Sequence, residues 1–187
     1  GIQYTLINGN EAIVVKYAGN DTEVVIPSSI EVDGVTYSVT YIGERAFADS
    51  SSLKSVVIPD SVISIRFYAF YECKSLTSIV IPESVTSIGE YAFCGCDSLT
   101  SIVIPNSVTS IGSSAFRGCT SLKEFKGKYA TEDGCSLIVD NTIIAYANAS
   151  GTTYTILDSV TTIGREAFSG CDSLTSVTIP DSVTTIG

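Results

Sequence analysis

The sequence contains no histidine, no tryptophan and no methionine, and only 16% of its 187 residues are charged. Without histidine there is no Ser-His-Asp or Cys-His catalytic set, no histidine-ligated zinc and no imidazole switch near neutral pH. Basic residues are scarce as well. Ten Lys and Arg stand against twenty Asp and Glu, for a net charge of −10. That balance repels phosphate backbones and anionic lipid surfaces, which argues against nucleic acid or a membrane face as partner. No apolar run reaches the eighteen or so residues a membrane helix needs. No signal peptide, phosphate-binding loop or dinucleotide fingerprint is present. The six cysteines are too few for a disulfide scaffold in a chain of this length. With no methionine at the start, and Gly187 falling in the middle of a repeat unit, both ends read as boundaries within a longer protein.

What the chain has instead is self-similarity, the first thing to look for in any sequence. The dipeptide Ala-Phe occurs at 46–47, 69–70, 92–93, 115–116 and 167–168. The first three intervals are 23 residues; the last is 52, two units plus six. The best-formed unit is SLTSIVIPNSVTSIGSSAFRGCT, residues 98–120, with close copies at 52–74 and 75–97 and a truncated one at 173–187. Within it, Ile102 and Ile104 alternate with Ser101 and Val103, the period of a strand buried on one face. Pro105 ends that strand, because proline has no N–H for the ladder. Val108 and Ile111 mark a shorter second strand, broken by Gly112. Residues 113–118 carry Ala115 and Phe116 inward, and a turn of helix or a 3₁₀ piece is expected there.

One 23-residue coil cannot bury its own apolar face, but a stack of coils can. The fold expected is therefore a repeat solenoid with a parallel β-sheet, short second strands and short helical turns. Phe47, Phe70, Phe93, Phe116 and Phe168 should form one internal column. Leu53, Leu76, Leu99, Leu122 and Leu174 should form another. Two regions break the period. Residues 1–21 flank Asn8-Gly9-Asn10 with strand-like segments and read as a hairpin capping the solenoid of residues 22–187. Asp33-Gly34 signals a second hairpin. Residues 125–150 read as a divergent coil built on a third, around Asp140-Asn141. The truncated last unit leaves strand edges through which two copies could associate end to end.

The unit quoted above resembles the BspA-like, or Treponema-type, bacterial leucine-rich repeats, over roughly residues 22–187. The resemblance implies a secreted or surface-exposed bacterial protein that binds a protein ligand, as characterised relatives adhere to host matrix or to other cells. It implies no shared catalytic motif, so no functional residue carries over, and no enzyme activity or cofactor is expected. The alternative is a structural spacer within a larger surface protein whose other domains act.

Several sets of residues were candidates for chemistry. Cys73, Cys96, Cys119 and Cys171 share one repeat position, where small buried thiols are the favoured reading. Cys94 and Cys135 lie off that ladder and are expected to be the exposed or reactive thiols. A metal centre on Cys94 and Cys96 would need two further ligands that the sequence does not bring obviously close. The row Asp60, Glu83, Asn106, Asp158 and Asp181 reads as a solvated rim rather than a calcium-binding edge. The better binding candidate is the outward face of the main sheet: Ser55, Ser78 and Ser101 beside Val57, Val80 and Val103, with Ser176 and Thr178 in the same columns. Strand-forming propensity alone would explain those residue types, but an exposed apolar column also suits docking. The aromatics off the core pattern, Phe67, Tyr68, Tyr71 and Tyr91, form a second candidate surface. They follow Arg66, which replaces the glycine found at 43, 89, 112 and 164.

Overall fold

The computed structural model describes residues 1–187 and is a β-solenoid without helices. A regular coil contributes a three- or four-residue strand, a proline corner, a two-residue strand and an arc of turns back to the start. The alternation read from sequence is what builds the first strand. In Ser101–Ile104 the isoleucines are buried and Val103 is exposed. Successive coils pair in parallel at a strict offset of one repeat, Ser55 against Ser78 and Val57 against Val80. The short strands do likewise, Ser64 against Ser87 and Ser87 against Ser110.

The arc that carries Ala-Phe is not helical. Its N–H groups bond three residues back, as in Ala69 N to Arg66 O at 3.2 Å and Tyr71 N to Tyr68 O at 3.0 Å. Two residues per arc, four apart, take left-handed φ: Arg45 and Asp49, Tyr68 and Glu72, Tyr91 and Gly95, Ser114 and Gly118, Glu166 and Gly170. A left-handed residue reverses the chain's hand, so a right-handed helical turn cannot propagate through it. The arcs bond instead to the next coil, Phe47 N to Ala69 O at 2.8 Å and Phe70 N to Ala92 O at 2.7 Å.

Ile2–Ile7 and Glu11–Tyr17 form an antiparallel hairpin, and the second of these strands pairs in parallel with Val35–Ile42. The hairpin thereby covers the N-terminal end of the stack. Tyr17 extends the aromatic column, its ring 5.4 Å from Phe47. Ser29–Val32 and Val35–Ile42 pair as a hairpin around Asp33-Gly34, both with positive φ. Ser136–Val139 and Thr142–Tyr146 do the same around Asp140-Asn141.

The core divides at this last hairpin. The main cluster runs from Ala12 to Ala147 and contains Phe47, Phe70, Phe93 and Phe116, stacked at 5.1–5.6 Å. Phe125 closes it edge-on to Phe116. Phe168 and Leu174 are not in these columns. Both are half-buried and pack with a smaller cluster around Ile143, Tyr146 and Tyr154. Phe168 stacks on Tyr146, whose N–H donates to Ala167 O at 2.9 Å, the bond an arc phenylalanine makes elsewhere. The pair Ala145-Tyr146 thus stands where Ala-Phe stands in a regular coil.

Because the divergent coil lacks the usual arc, the arcs on either side of it meet. Ser114 donates to Glu166 at 2.7 Å, and Arg117 Nε lies 3.6 Å from the same carboxylate and 3.3 Å from Ser169 Oγ. The Ser114 hydrogen bond, with help from Arg117, holds the Glu166 carboxyl below its ordinary value. A depressed carboxylate pKa contributes stability that is complete above the unfolded value, about 4.3 for glutamate, and is lost as pH falls through the folded one. Wild type should therefore lose urea resistance between pH 5 and pH 3 more steeply than Glu166→Gln, by roughly the stability of one charge-assisted hydrogen bond. Parallel pH profiles for the two proteins would show that the carboxylate does not join the arcs.

Candidate interaction surface

Several hydroxyls of the repeat are occupied by the stack itself. Ser61, Ser84 and Ser107 each donate at 2.6 Å to a carbonyl of the preceding coil. Thr77, Thr86 and Thr109 do so at 3.1–3.2 Å. The thiols of Cys73, Cys96 and Cys119, fully buried, point at the carbonyls of Phe47, Phe70 and Phe93 at 3.1–3.3 Å. All six cysteines are free. Burial pushes Cys73 up to about 12, so it is no thiolate at neutral pH.

Cys94 departs from the expectation that it would be exposed. It is buried, and desolvation raises its thiol to about 11 despite the nearby Arg117. Cys135 is half-exposed, with its thiol also raised by burial. No three His, Cys, Asp or Glu side chains gather as a metal site.

The hydroxyls of Ser55, Ser78 and Ser101 make no bond within the protein, in contrast to those above. They stand on the outward face of the first strands beside Val57, Val80 and Val103, which are 56%, 78% and 54% exposed. Val25, 69% exposed, extends the valine row by one coil. Its strand, Glu23–Val25, was legible as a repeat copy, so the same alternation pointed to it. At the far end Lys126 takes the valine place, paired with Glu124 at 2.8 Å. There the row stops. Ser176 and Thr178 do not continue it; they pair with Thr153 and Thr155 in a separate two-stranded sheet beyond the divergent coil.

The aromatics lie on the arcs, another stretch of the coil, and the structure does not merge them with the valine row. Tyr68 and Tyr91, equivalent left-handed residues one coil apart, stack at 4.9 Å with planes 7° apart. Phe67, 37% exposed, is edge-on to Tyr68 at 4.2 Å, and Tyr71 is edge-on to it at 5.1 Å. Arg45 covers the Tyr68 ring at 5.3 Å, and Arg66 lies over Tyr41 at 4.3 Å. Left-handed φ at a bulky residue costs about 1–3 kcal/mol and persists only where the surroundings impose it. Here the inter-coil ladder does so, and the result is a fixed aromatic cluster, Phe67, Tyr68, Tyr71 and Tyr91, with little rotamer freedom left to lose on binding.

A stack of parallel strands joined by arcs with paired left-handed residues, at a 23-residue period, defines a leucine-rich-repeat solenoid, a scaffold typical of protein interaction. Six copies of the BspA type leucine rich repeat region match residues 22–133 and 142–187, and the chain belongs to that family. A leucine-rich repeat protein of Bacteroides capillosus is 33% identical over 68% of this chain and 94% of its own, with a TM-score of 0.63. The leucine rich repeat protein of T. pallidum is 27% identical over 99% of this chain and 83% of its own, with a TM-score of 0.59. The pneumococcal vaccine antigen PcpA shares the fold at 19% identity, over 97% of this chain and 69% of its own, with a TM-score of 0.54. No curated protein matches the sequence. No helix is long and apolar enough to cross a membrane.

Proposed function

We propose that this chain is a non-catalytic adhesion module of a bacterial surface or secreted protein, and that it docks a protein ligand on the valine row. The observation that carries the proposal is the contrast along that face. Val25, Val57, Val80 and Val103 are more than half exposed in line, the last three beside the serine hydroxyls of Ser55, Ser78 and Ser101, which have no internal partner. Ser61, Ser84 and Ser107, by comparison, donate to carbonyls of the stack. A flat strip of methyl groups and free hydroxyls fits the apolar centre and polar rim of a protein interface. The arc cluster of Phe67, Tyr68, Tyr71 and Tyr91 supplies a second contact region rich in interface-prone side chains. The family membership, and a solved relative described as a vaccine antigen, support the surface location.

Lys126 occupies the valine place in its own coil, so the fold accepts lysine in this row. The double variant Val57→Lys, Val80→Lys should then melt like wild type while binding an immobilised matrix protein at least tenfold more weakly, since two charges are placed where apolar contact is made. The panel comprises collagen, fibronectin, fibrinogen and laminin. No wild-type binding at tens of micromolar, or equal binding by the variant, would reject this face as an adhesive surface.

A further inference from the structure

The longest strand at the end of any sheet is Ile2–Ile7, which pairs only with Glu11–Tyr17. Gly1 and Ala18 exchange both backbone bonds, at 2.7 and 2.9 Å, so residue 1 faces the other strand. The bulge between Gln3 and Tyr4 places its extra residue, Val15, on that other strand, and the alternation along Ile2–Ile7 is unbroken. Gln3, Thr5 and Ile7 therefore face inward, and the N–H and C=O groups of Ile2, Tyr4 and Leu6 point away from the sheet. None of these groups finds a backbone partner elsewhere in the chain. Such an edge is a template for pairing with another chain, and proteins guard edges with charge, proline or short length. Other terminal strands follow that rule. Glu23–Val25, Ser29–Val32 and Glu124–Gly127 carry charges, while Thr153–Thr155, Ser176–Thr178 and Thr185–Ile186 have only two or three residues. Ile2–Ile7 has six residues, no charge and no proline.

The edge is complementary to itself. Its outward residues, Ile2, Tyr4 and Leu6, are symmetric in kind about Tyr4. Laid antiparallel on a second copy about a two-fold axis at Tyr4, the strand sets Ile2 against Leu6 of the other copy and Tyr4 against its own equivalent. Aromatic and apolar pairs of this sort stabilise adjacent strands, and the free backbone groups of each copy meet those of the other. A two-fold contact needs one patch that matches itself in this way. Charge selects the same sense. Lys16 lies opposite Gln3 at one end of the hairpin and Glu11 opposite Ile7 at the other. Antiparallel pairing brings the lysine end of one copy towards the glutamate end of the next, whereas parallel pairing sets like against like. In a chain of net −10, a strip without acids is also where two copies approach with least repulsion.

We infer that the chain forms a two-fold dimer through antiparallel pairing of Ile2–Ile7, which continues the sheet of one solenoid into the next and places two valine rows on one particle. The inference does not depend on what the valine row binds. Two strands this short bury less than the roughly 1,200 Å² of a standard interface, so the dissociation constant should be on the order of 10–100 μM. Sedimentation of the whole chain between about 5 and about 500 μM should show monomer giving way to dimer. Over that range, hydrogen exchange at the Ile2, Tyr4 and Leu6 amides should slow by about threefold or more, the fraction of monomer lost, with the Gly34 amide unchanged. Leu6→Pro deletes one outward N–H at a position where an edge strand tolerates proline. It should melt close to wild type and stay monomeric throughout. Ile186→Lys at the C-terminal end, and the Val57→Lys, Val80→Lys protein, should dimerise as wild type does. Should Leu6→Pro fail to fold, the wild-type exchange rates decide. A wild type that remains monomeric at about 500 μM, with a constant as weak as the millimolar range, would overturn the inference. So would unchanged exchange at Ile2, Tyr4 and Leu6, or a dimer kept in folded Leu6→Pro or lost in Ile186→Lys.

Discussion

Phe93→Ala should lower the stability of this solenoid by about 3–5 kcal/mol, the range for emptying a buried phenylalanine site. Phe93 is fully buried between Phe70 and Phe116, with ring centroids 5.4 and 5.6 Å away and planes within 3° of parallel. Truncation removes the apolar area and both stacking contacts. Little can collapse into the void, because the flanking arcs are held by the ladder from Phe93 N to Ala115 O at 2.8 Å. For a chain of this size the melting temperature should fall by about 10 °C or more. Phe168→Ala provides the contrast. Phe168 is half-buried, in the smaller cluster, and has Tyr146 as its stacked neighbour. Its loss should cost less than half as much. Urea and thermal unfolding of both variants tests this. A Phe93→Ala protein that melts within a degree or two of wild type, or equal losses in the two variants, would contradict a continuous buried column.

That contrast also marks the limit of what sequence reveals here. The repeat made the interior of a regular coil legible, because the same alternation is solved the same way each time: Leu76, Leu99 and Leu122 are all fully buried. Periodicity says nothing about whether a neighbour exists to complete the burial. Phe168 and Leu174 fit their columns by motif, yet their packing partners are set by the divergent coil and not by the repeat. The outward alternation gave Val57, Val80 and Val103, and Val25 follows by the same rule. The clustering of Phe67, Tyr68, Tyr71 and Tyr91 was suggested by composition, whereas their stacking depends on left-handed φ at Tyr68 and Tyr91. Tyrosine rarely adopts that conformation, so no local propensity foretold it. Cys94 was misjudged for the same reason: its burial follows from how the arcs fold over it. The Ser114–Glu166 hydrogen bond joins residues 52 apart. It exists only because one coil gives up its arc, which no pairwise motif records.

The other large effect is expected at Gly112. A Cβ added there would lie 2.3 Å from Glu90 N and 2.6 Å from Glu90 Cα, both backbone atoms of the preceding coil. A flexible side chain could yield, but that backbone is fixed by Gly112 N to Ile88 O and Gly89 N to Ile65 O, each 2.8 Å. Gly112→Ala must push two coils apart, and overpacking of this kind costs about 3 kcal/mol or more. Gly9→Ala is the matched control. Gly9 has φ +82 and nothing within 4 Å of its virtual Cβ, so only the left-handed penalty of about 1–2 kcal/mol applies. Arg66 shows that the repeat position itself is not forbidden. It fills the same place two coils earlier, keeps its rung to Ile42 O at 2.9 Å and lays its guanidinium over Tyr41. Glycine at 112 therefore answers to the local closeness of two coils. Equal costs for Gly112→Ala and Gly9→Ala would show that the stack can breathe at this rung. The predicted inequality means that it cannot, and that Val80 and Val103, one coil apart on the outward face, are held at a fixed spacing for whatever docks across them.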